Sequence, residues 1–104
     1  MDKYLLWHLL AGTRGGINRI RIIKTLQEKP QNANQLSESL RMDYKTIRHH
    51  LAVLTKNHII STPQQDRYGG MYFLTSTFEA LLPIFNEIWE KLNKHWKIRK
   101  PKRT

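Results

Sequence analysis

The sequence has 104 residues, with 18 Lys and Arg against 8 Asp and Glu, a formal charge of +10 and no cysteine. This length fits one domain, and the lack of cysteine excludes disulfide scaffolds, Cys-ligated zinc, iron–sulfur clusters and thiol nucleophiles. The longest apolar stretch, residues 4–11, is shorter than the roughly 20 residues that cross a bilayer, and it lacks the features of a signal peptide. We therefore expect a cytoplasmic protein.

The positive charge is concentrated towards the end of the chain. Residues 91–104 contain seven basic and no acidic residues, whereas residues 1–90 contain 11 basic and 8 acidic ones. Such a balance favours polyanionic partners such as nucleic acid, an acidic membrane surface or an acidic protein. We expect a folded domain over residues 1–98 and a disordered basic tail over residues 99–104, which either adds nonspecific phosphate contacts or only aids solubility.

Two helices are predicted before Pro30. Residues 2–11 are apolar on nearly every side, so this helix must be buried, and Gly12 begins the break that follows it. From Ile17 onward apolar residues recur at helical spacing with basic residues between them, which predicts an amphipathic helix. Its apolar positions are Ile17, Ile20, Ile23 and Leu26, and its basic residues Arg19, Arg21 and Lys24 form a local cluster with Arg14.

Two further helices follow, separated by a very short connection. A helix capped by Asn32 or Asn34 is predicted to end at residue 40. Asp43 is a good N-cap for a helix over residues 44–57, because its carboxylate can accept the exposed amide hydrogens and complement the helix dipole. The inward stripe of this helix is Ile47, Leu51 and Leu54, widened by Val53, and its polar side carries Lys45, Thr46, Arg48, His49, Ala52 and Lys56.

The remaining segment predicts a β-hairpin and a last helix. Residues 59–62 and 71–75 read as short strands joined by a turn-rich loop. The last helix is predicted to begin at Ser76 or the next residue, with a capping box between Ser76 and Glu79. Pro83 lies within this helix, where it produces either a kink or a fresh helix start.

The two terminal helices carry more large apolar side chains than a chain this small can cover alone. Dimerisation is the simplest way to bury them, although burial within one protomer is the alternative. The predicted dimer interface consists of Leu5, Leu6, Trp7, Leu9, Phe85, Ile88, Trp89, Leu92 and Trp96.

Two helices joined by a tight turn and followed by a hairpin compose a winged helix-turn-helix, a mainly α fold with order α-α-α-α-β-β-α. The segment LRMDYKTIRHHLAVLTKNHII, residues 40–60, resembles without a gap the core of ArsR-like winged-helix transcription regulators. The preceding GTRGG and NANQLSESL segments are similar to archaeal members, and the likeness extends over roughly residues 10–75.

The resemblance implies roles for several residues of the fourth helix. In this family a small polar cap opens the recognition helix, here Asp43, and a β-branched residue, here Ile47, points inward. A basic residue and His precede a Leu-x-x-Leu core, which matches His49 and His50 before Leu51 and Leu54. Two departures are His58, where these proteins usually have Gly, and the absence of the thiols with which arsenic sensors bind metal.

The predicted DNA contacts lie on the first turns of the recognition helix, in the wing and in the GTRGG turn. Arg48 is the preferred base reader, since its planar fork can donate twice to guanine O6 and N7, which is worth about 1 to 3 kcal/mol of discrimination. Lys45 is expected to hold a phosphate. The full set is Tyr44, Lys45, Thr46, Arg48, His49, Arg67, Tyr68 and Arg14.

Less specific readings of these residues stay open. The cations of the fourth helix are alternatively a solvated helix face, and the wing is alternatively an exposed hairpin in which Asp66 pairs with Arg67. His50 is expected to be structural because it adjoins the core. A metal site is not expected, since His49, His50 and His58 do not converge on one helical face.

These features predict a homodimeric, sequence-specific double-stranded DNA-binding transcription regulator, a repressor acting on a near-palindromic operator. Repression is favoured over activation because no separate activation or ligand-binding domain fits in the chain. The alternative is a winged-helix module that docks another protein without reading bases. No enzymatic constellation and no cofactor is expected. An unidentified small-molecule effector could lie between the terminal helices near Trp7, Trp89 and Trp96.

Overall fold

The computed structural model describes residues 1–63 and 69–96 of the chain. Six helices and one two-stranded antiparallel sheet make up this part, which confirms the mainly α fold with a small hairpin. The elements are α1 Lys3–Ala11, α2 Gly16–Glu28, α3 Ala33–Leu40, α4 Tyr44–Lys56, β1 Ile60–Ser61, β2 Phe73–Leu74, α5 Ser76–Glu79 and α6 Leu82–Trp96.

One hydrophobic core joins the helices. Its largest buried side chains include Phe78 and Phe85, whose rings pack edge to face with centroids 5.3 Å apart. Helix α2 shows one departure from the predicted stripe, because Ile22 is fully buried while Ile17 is 40% exposed. Ile17 lies in the first turn, next to the exposed connection from α1, where the core ends.

The turn between α3 and α4 is fixed at both helix ends. Of the two predicted caps for α3 the structure has Asn32, which forms a capping box with Gln35. At the other end Arg41 has a left-handed backbone with φ of 52°, and the N–H of Met42 donates to the carbonyl oxygen of Ser37 over 3.1 Å. This closing pattern reverses the chain within two residues and sets α4 directly after α3.

Helix α4 ends in the same way. His58 has a φ of 60°, and the N–H of Ile59 donates to the carbonyl oxygen of Leu54 over 3.0 Å. A left-handed backbone after a helix is the conformation that glycine adopts most easily. His58 therefore adopts a left-handed backbone at the position where the ArsR-like sequences usually have Gly.

The hairpin is shorter than predicted. Ile60 pairs with Leu74 and Ser61 with Phe73, while Tyr72 forms an isolated antiparallel bridge with Gln31. The N–H of Tyr72 donates to the carbonyl oxygen of Gln31 over 2.9 Å. The loop-side end of β2 is thus attached to the segment between α2 and α3.

The N-cap of helix α5 differs from the predicted one. Thr75, not Ser76, is the N-cap, and its hydroxyl accepts from the N–H of Phe78 over 3.0 Å, so the predicted capping box of Ser76 and Glu79 was wrong. The hydroxyl of Thr75 also donates to the carbonyl oxygen of His58 over 2.6 Å, which selects Thr75 for this position. Pro83 marks a fresh helix start, because α5 ends at Glu79 and Pro83 is the second residue of α6.

Candidate nucleic-acid interface

Helix α4 is positioned by its cap and by its apolar side. The carboxylate of Asp43 accepts from the N–H groups of Lys45 over 3.0 Å and Thr46 over 3.4 Å, which satisfies two amides at the start of the helix. Ile47, Leu51 and Leu54 are almost completely buried, as the sequence predicts. With this side in the core, the opposite side of α4 faces solvent.

The solvent side of the first turns holds four of the predicted DNA contacts. Tyr44, Lys45, Thr46 and His49 are all exposed, and we call these four residues the α4 polar face. Lys45 and His49 are one helical turn apart, so both side chains project in the same direction. An unobstructed helix of this kind has the dimensions to enter a major groove about 12 Å wide.

Arg48, the preferred base reader, lies at the edge of this face and is half-buried. Its Nη1 donates to the hydroxyl oxygen of Tyr72 over 3.1 Å. Tyr72 itself is 3% exposed, so its ring belongs to the core, and its hydroxyl contacts Arg48 of α4. Sequence reasoning gave Tyr72 no role, because the pairing of α4 with the hairpin cannot be read from either segment alone.

The basic cluster of the first half of the chain does not form one cationic surface. Arg19 is 6% exposed, and its Nε donates to the carbonyl oxygen of Leu9 over 3.2 Å while its Nη2 donates to the Thr13 hydroxyl over 2.7 Å. The guanidinium thereby satisfies a carbonyl of the last turn of α1, which explains why a cation is buried here. Burial lowers the pKa of Arg19 from its ordinary value.

The other members of this cluster have separate surroundings. Arg21 donates from Nη2 to the carbonyl oxygen of Leu40 over 3.1 Å, at the end of α3, and Lys24 lies 4.9 Å from the ring centroid of Trp89. Arg14 is exposed in the connection between α1 and α2 and is the member that remains available for a phosphate.

His50 is a buried residue of α4, consistent with a structural role. It is 5% exposed, its Nδ1 has no hydrogen-bond partner in the described part of the chain, and its ring lies against Gly15. A Cβ added at Gly15 would come within 2.6 Å of Cε1 of His50, so the connection before α2 must approach α4 without a side chain. Burial is the main cause that lowers the pKa of His50 from 6.5, followed by the charges of Arg19 and His49.

Two predicted contacts of the wing, Arg67 and Tyr68, lie outside the described residues, as does the basic tail over residues 99–104. Gly69 follows with a φ of 80°, a left-handed backbone that favours glycine at the end of this loop. These members of the candidate interface remain predictions.

The predicted dimer interface divides into two groups. Leu6, Leu9, Phe85 and Ile88 are at most 8% exposed within a single protomer, so they pack into its own core and are not available to a partner. The reason is that α1 and α6 pack against each other and against α2, which covers these side chains.

The remaining members lie at or near the surface. Leu5 is 40% exposed, next to Tyr4 at 74%. Trp7, Trp89 and Leu92 are partly buried against the core, and Lys91 lies 5.6 Å from the ring centroid of Trp7. The side chain of Trp96 lies outside the described part of the chain.

The surface also has a groove beside α4. An open groove of about 600 Å³ runs between the second half of α4 and the hairpin, with Ala52, Lys56, Ser61 and Tyr72 among its lining residues. Among the described residues, no three His, Asp or Glu side chains are grouped so as to hold a metal ion. No helix in the same part of the chain is long and apolar enough to span a membrane.

One protein-family model and several solved structures match this chain. Residues 18–62, less than half of the chain, match the model of the bacterial regulatory protein arsR family. This segment resembles an arsR-type DNA-binding domain. It runs from the first turn of α2 through β1, so the resemblance, which was predicted over roughly residues 10–75, is confirmed over residues 18–62.

Solved structures match over nearly the whole chain. The reduced form of the transcriptional regulator YodB from B. subtilis is 22% identical with a TM-score of 0.68, over 99% of this chain and 98% of that one. A MarR transcriptional regulator from Methanosarcina mazei Go1 is 18% identical with a TM-score of 0.67, over 97% and 78%. The transcriptional regulator BldR from Sulfolobus solfataricus is 15% identical with a TM-score of 0.67, over 94% and 71%. The chain therefore has the winged-helix fold of these regulators, and no curated protein matches it.

Proposed function

We propose that this protein is a sequence-specific double-stranded DNA-binding transcription regulator. The observation that carries the proposal is the α4 polar face, which leaves Tyr44, Lys45, Thr46 and His49 exposed on a helix whose other side is anchored in the core. A helix-turn-helix recognition helix contacts base edges with its N-terminal residues, which is where these four side chains lie. The match of residues 18–62 to the arsR-family model supports the same function.

Within this interface the residues divide by chemistry. Arg48 is the proposed base reader, because a guanidinium can donate two parallel hydrogen bonds to guanine. Lys45 and Arg14 are proposed to contact phosphates, since both are exposed cations on the protein surface. Tyr44, Thr46 and His49 complete the contacts of α4, and Arg67 and Tyr68 those of the wing.

The proposed active form is a homodimer that represses transcription by occupying a near-palindromic operator. Met1, Tyr4 and Leu5 give α1 an exposed apolar surface, and a second copy of this chain is the proposed cover. A two-fold dimer presents two recognition helices roughly 34 to 36 Å apart, one turn of DNA. Because chromosomal DNA is the proposed ligand, the proposed location is the cytoplasm. The MarR regulator from Methanosarcina mazei supports the proposed similarity to archaeal proteins.

The test begins with selection of bound sequences from random duplexes, followed by affinity measurements on the selected site. Arg48→Ala is expected to cost about 1 to 3 kcal/mol of binding free energy and to relax preference at one base pair of each half-site. Lys45→Ala is expected to weaken binding to all sequences alike and to reduce the slope of log K against log salt by about 1.

The matched control is Lys94→Ala, which removes one exposed charge from α6, outside the proposed interface. The proposal fails if the folded Arg48 and Lys45 variants bind DNA with the affinity and salt slope of the unaltered protein. The protein-docking module would then be the better description of this fold.

The dimer is tested separately by sedimentation over a range of concentrations. Leu5→Glu places a charge on the exposed surface of α1 and is expected to shift the equilibrium towards protomers while the core stays intact. A monomeric unaltered protein at micromolar concentration would contradict the homodimer without affecting the DNA-binding proposal.

A further inference from the structure

The fold fixes the position of Tyr72 from two sides. Its backbone N–H donates to the carbonyl oxygen of Gln31 over 2.9 Å, and its ring is buried in the core. Gln31 is itself 6% exposed, and its Oε1 accepts from the hydroxyl of Ser39 on α3 over 3.3 Å. Tyr72, directly before β2 on the loop side of the paired strands, is therefore attached to the helical body of the protein.

The hydroxyl of Tyr72 is hydrogen-bonded to Arg48, the one arginine of α4. Nη1 of Arg48 donates to this oxygen over 3.1 Å, and Arg48 is half-buried, whereas its neighbours Lys45 and His49 are exposed. Arginine has several rotatable bonds, and an ordered guanidinium gives up that freedom before it meets a ligand. The structure thus distinguishes Arg48 from the exposed Lys45 and Lys56 of the same helix by its burial and by its hydrogen bond to Tyr72.

The chemistry of the guanidinium allows it to serve two acceptors. Its five N–H donors are arranged in a rigid planar fork, so a bond at one side sets the plane and direction of the others. Reading guanine requires two parallel donors aligned with O6 and N7, which is a demand on orientation. A phosphate contact of the kind proposed for Lys45 does not require two donors to be aligned in this way.

We infer that Tyr72 is a specificity-determining positioning residue, which orients the guanidinium of Arg48 for base recognition from outside the recognition helix. The inference rests on the proposed function and deepens it by assigning base selectivity to the Arg48–Tyr72 pair. Pre-organisation of this kind lowers the entropic cost of binding and fixes the geometry of the contact.

Tyr72→Phe tests the inference with little disturbance, because the ring keeps its place in the core and only the hydroxyl is removed. Preference for the selected base pair over its best substitute is expected to fall about fivefold, the effect of one ordinary hydrogen bond. Affinity for random duplex and its salt slope are expected to stay unchanged, since phosphate contacts do not use this oxygen. Ser76→Ala is the control, because it removes a hydroxyl from an exposed residue of α5, outside the proposed interfaces.

The decisive measurement is a double-mutant cycle on the selected site and its single-base variant. Tyr72→Phe should reduce discrimination in the unaltered protein and have no effect in Arg48→Ala, because the hydroxyl acts only through the guanidinium. Equal effects in both backgrounds, or none in the unaltered protein, would overturn the inference and leave the proposed function standing. Absence of any base preference in the unaltered protein would overturn both.

A second readout needs no DNA. The ¹⁵N order parameter of Nε of Arg48 is expected to be high in the unaltered protein and in Ser76→Ala, and lower in Tyr72→Phe. An equally mobile Arg48 in all three proteins would show that Tyr72 does not hold this side chain, whatever the DNA measurements give.

Discussion

Helix α4 and the terminal helices α1 and α6 were all predicted from the spacing of apolar residues. The spacing predicted correctly which side of α4 is exposed, but it did not predict which apolar residues of α1 and α6 are buried in the protomer. The α4 polar face lies in solvent as the sequence predicts. On the terminal helices, Leu6 and Phe85 lie in the protomer core while Leu5 is exposed. A charged side chain is usually in water unless hydrogen-bond partners accompany its burial, as they do for Arg19, but an apolar one can be buried in its own protomer or against a partner.

This difference shows which surfaces can be assigned from sequence. The cations of α4 can be placed because its apolar stripe is narrow and leaves a clear opposite side. Helix α1 is apolar on nearly every side, so its own chain covers part of it and leaves Tyr4 and Leu5 outside. The predictions that follow test this division, from the largest expected effect to the smallest.

The largest effect is expected at Phe85. Because its side chain is fully buried and packs on Phe78, Phe85→Ala should lower the free energy of unfolding by about 3 to 5 kcal/mol. Leu5→Ala, on the exposed side of the same pair of helices, should change the stability of the protomer by less than about 0.5 kcal/mol. Urea unfolding at several protein concentrations separates protomer stability from dimerisation. Equal losses of unfolding free energy in the two variants would contradict the placement of Phe85 in the core and Leu5 at the surface.

An intermediate effect is expected where α1 joins α2. A Cβ at Gly16 would lie 2.6 Å from the backbone carbonyl carbon of Leu10, so Gly16→Ala should destabilise the protein by about 1 to 3 kcal/mol. Gly12→Ala is the control, because there the nearest atoms lie at 3.2 Å and smaller adjustments suffice. Thermal unfolding measures both. A Gly16 variant as stable as the control would show that α1 can move away from α2 at little cost.

The smallest effect concerns His50, the buried polar residue of α4. Its pKa is lowered in the folded protein, so below about pH 6.5 the unfolded chain takes up a proton that the folded one resists. Stability should therefore fall as the pH decreases from 6.5, by at most about 1.4 kcal/mol per pH unit, and this site contributes nothing at higher pH.

Replacing His50 with Leu should remove this part of the pH dependence, as measured by urea unfolding between neutral and acidic pH. His8→Gln is the control, because His8 is an exposed histidine on α1. Parallel pH profiles for the Leu variant and the unaltered protein would contradict the assignment.

Much of the fold follows from local patterns in the sequence. The bounds of α4 and the cap at Asp43 agree with the prediction to within one residue, because capping and periodicity act over a few neighbouring positions. The cap at Thr75 was missed since its hydroxyl also bonds the carbonyl oxygen of His58, a contact between residues distant in sequence.

The same limit applies to the candidate interface. The burial of Arg19 depends on carbonyl and hydroxyl groups of α1, and the hold on Arg48 depends on Tyr72, 24 residues further along the chain. Neither contact has a periodicity or a spacing that marks it in the sequence. The exposure of individual residues of the candidate interface could therefore be predicted, while the contact between Tyr72 and Arg48 required the tertiary structure.

The shortness of the hairpin strands affects how the protein behaves at high concentration. Strands β1 and β2 are each two residues long, and Tyr72 beside β2 is already bridged to Gln31. Long, flat strand edges with unpaired amides are the places where proteins aggregate by adding strands from other molecules. An edge of two residues offers little template for such growth, so the described strands of this hairpin give neighbouring molecules little edge on which to add strands.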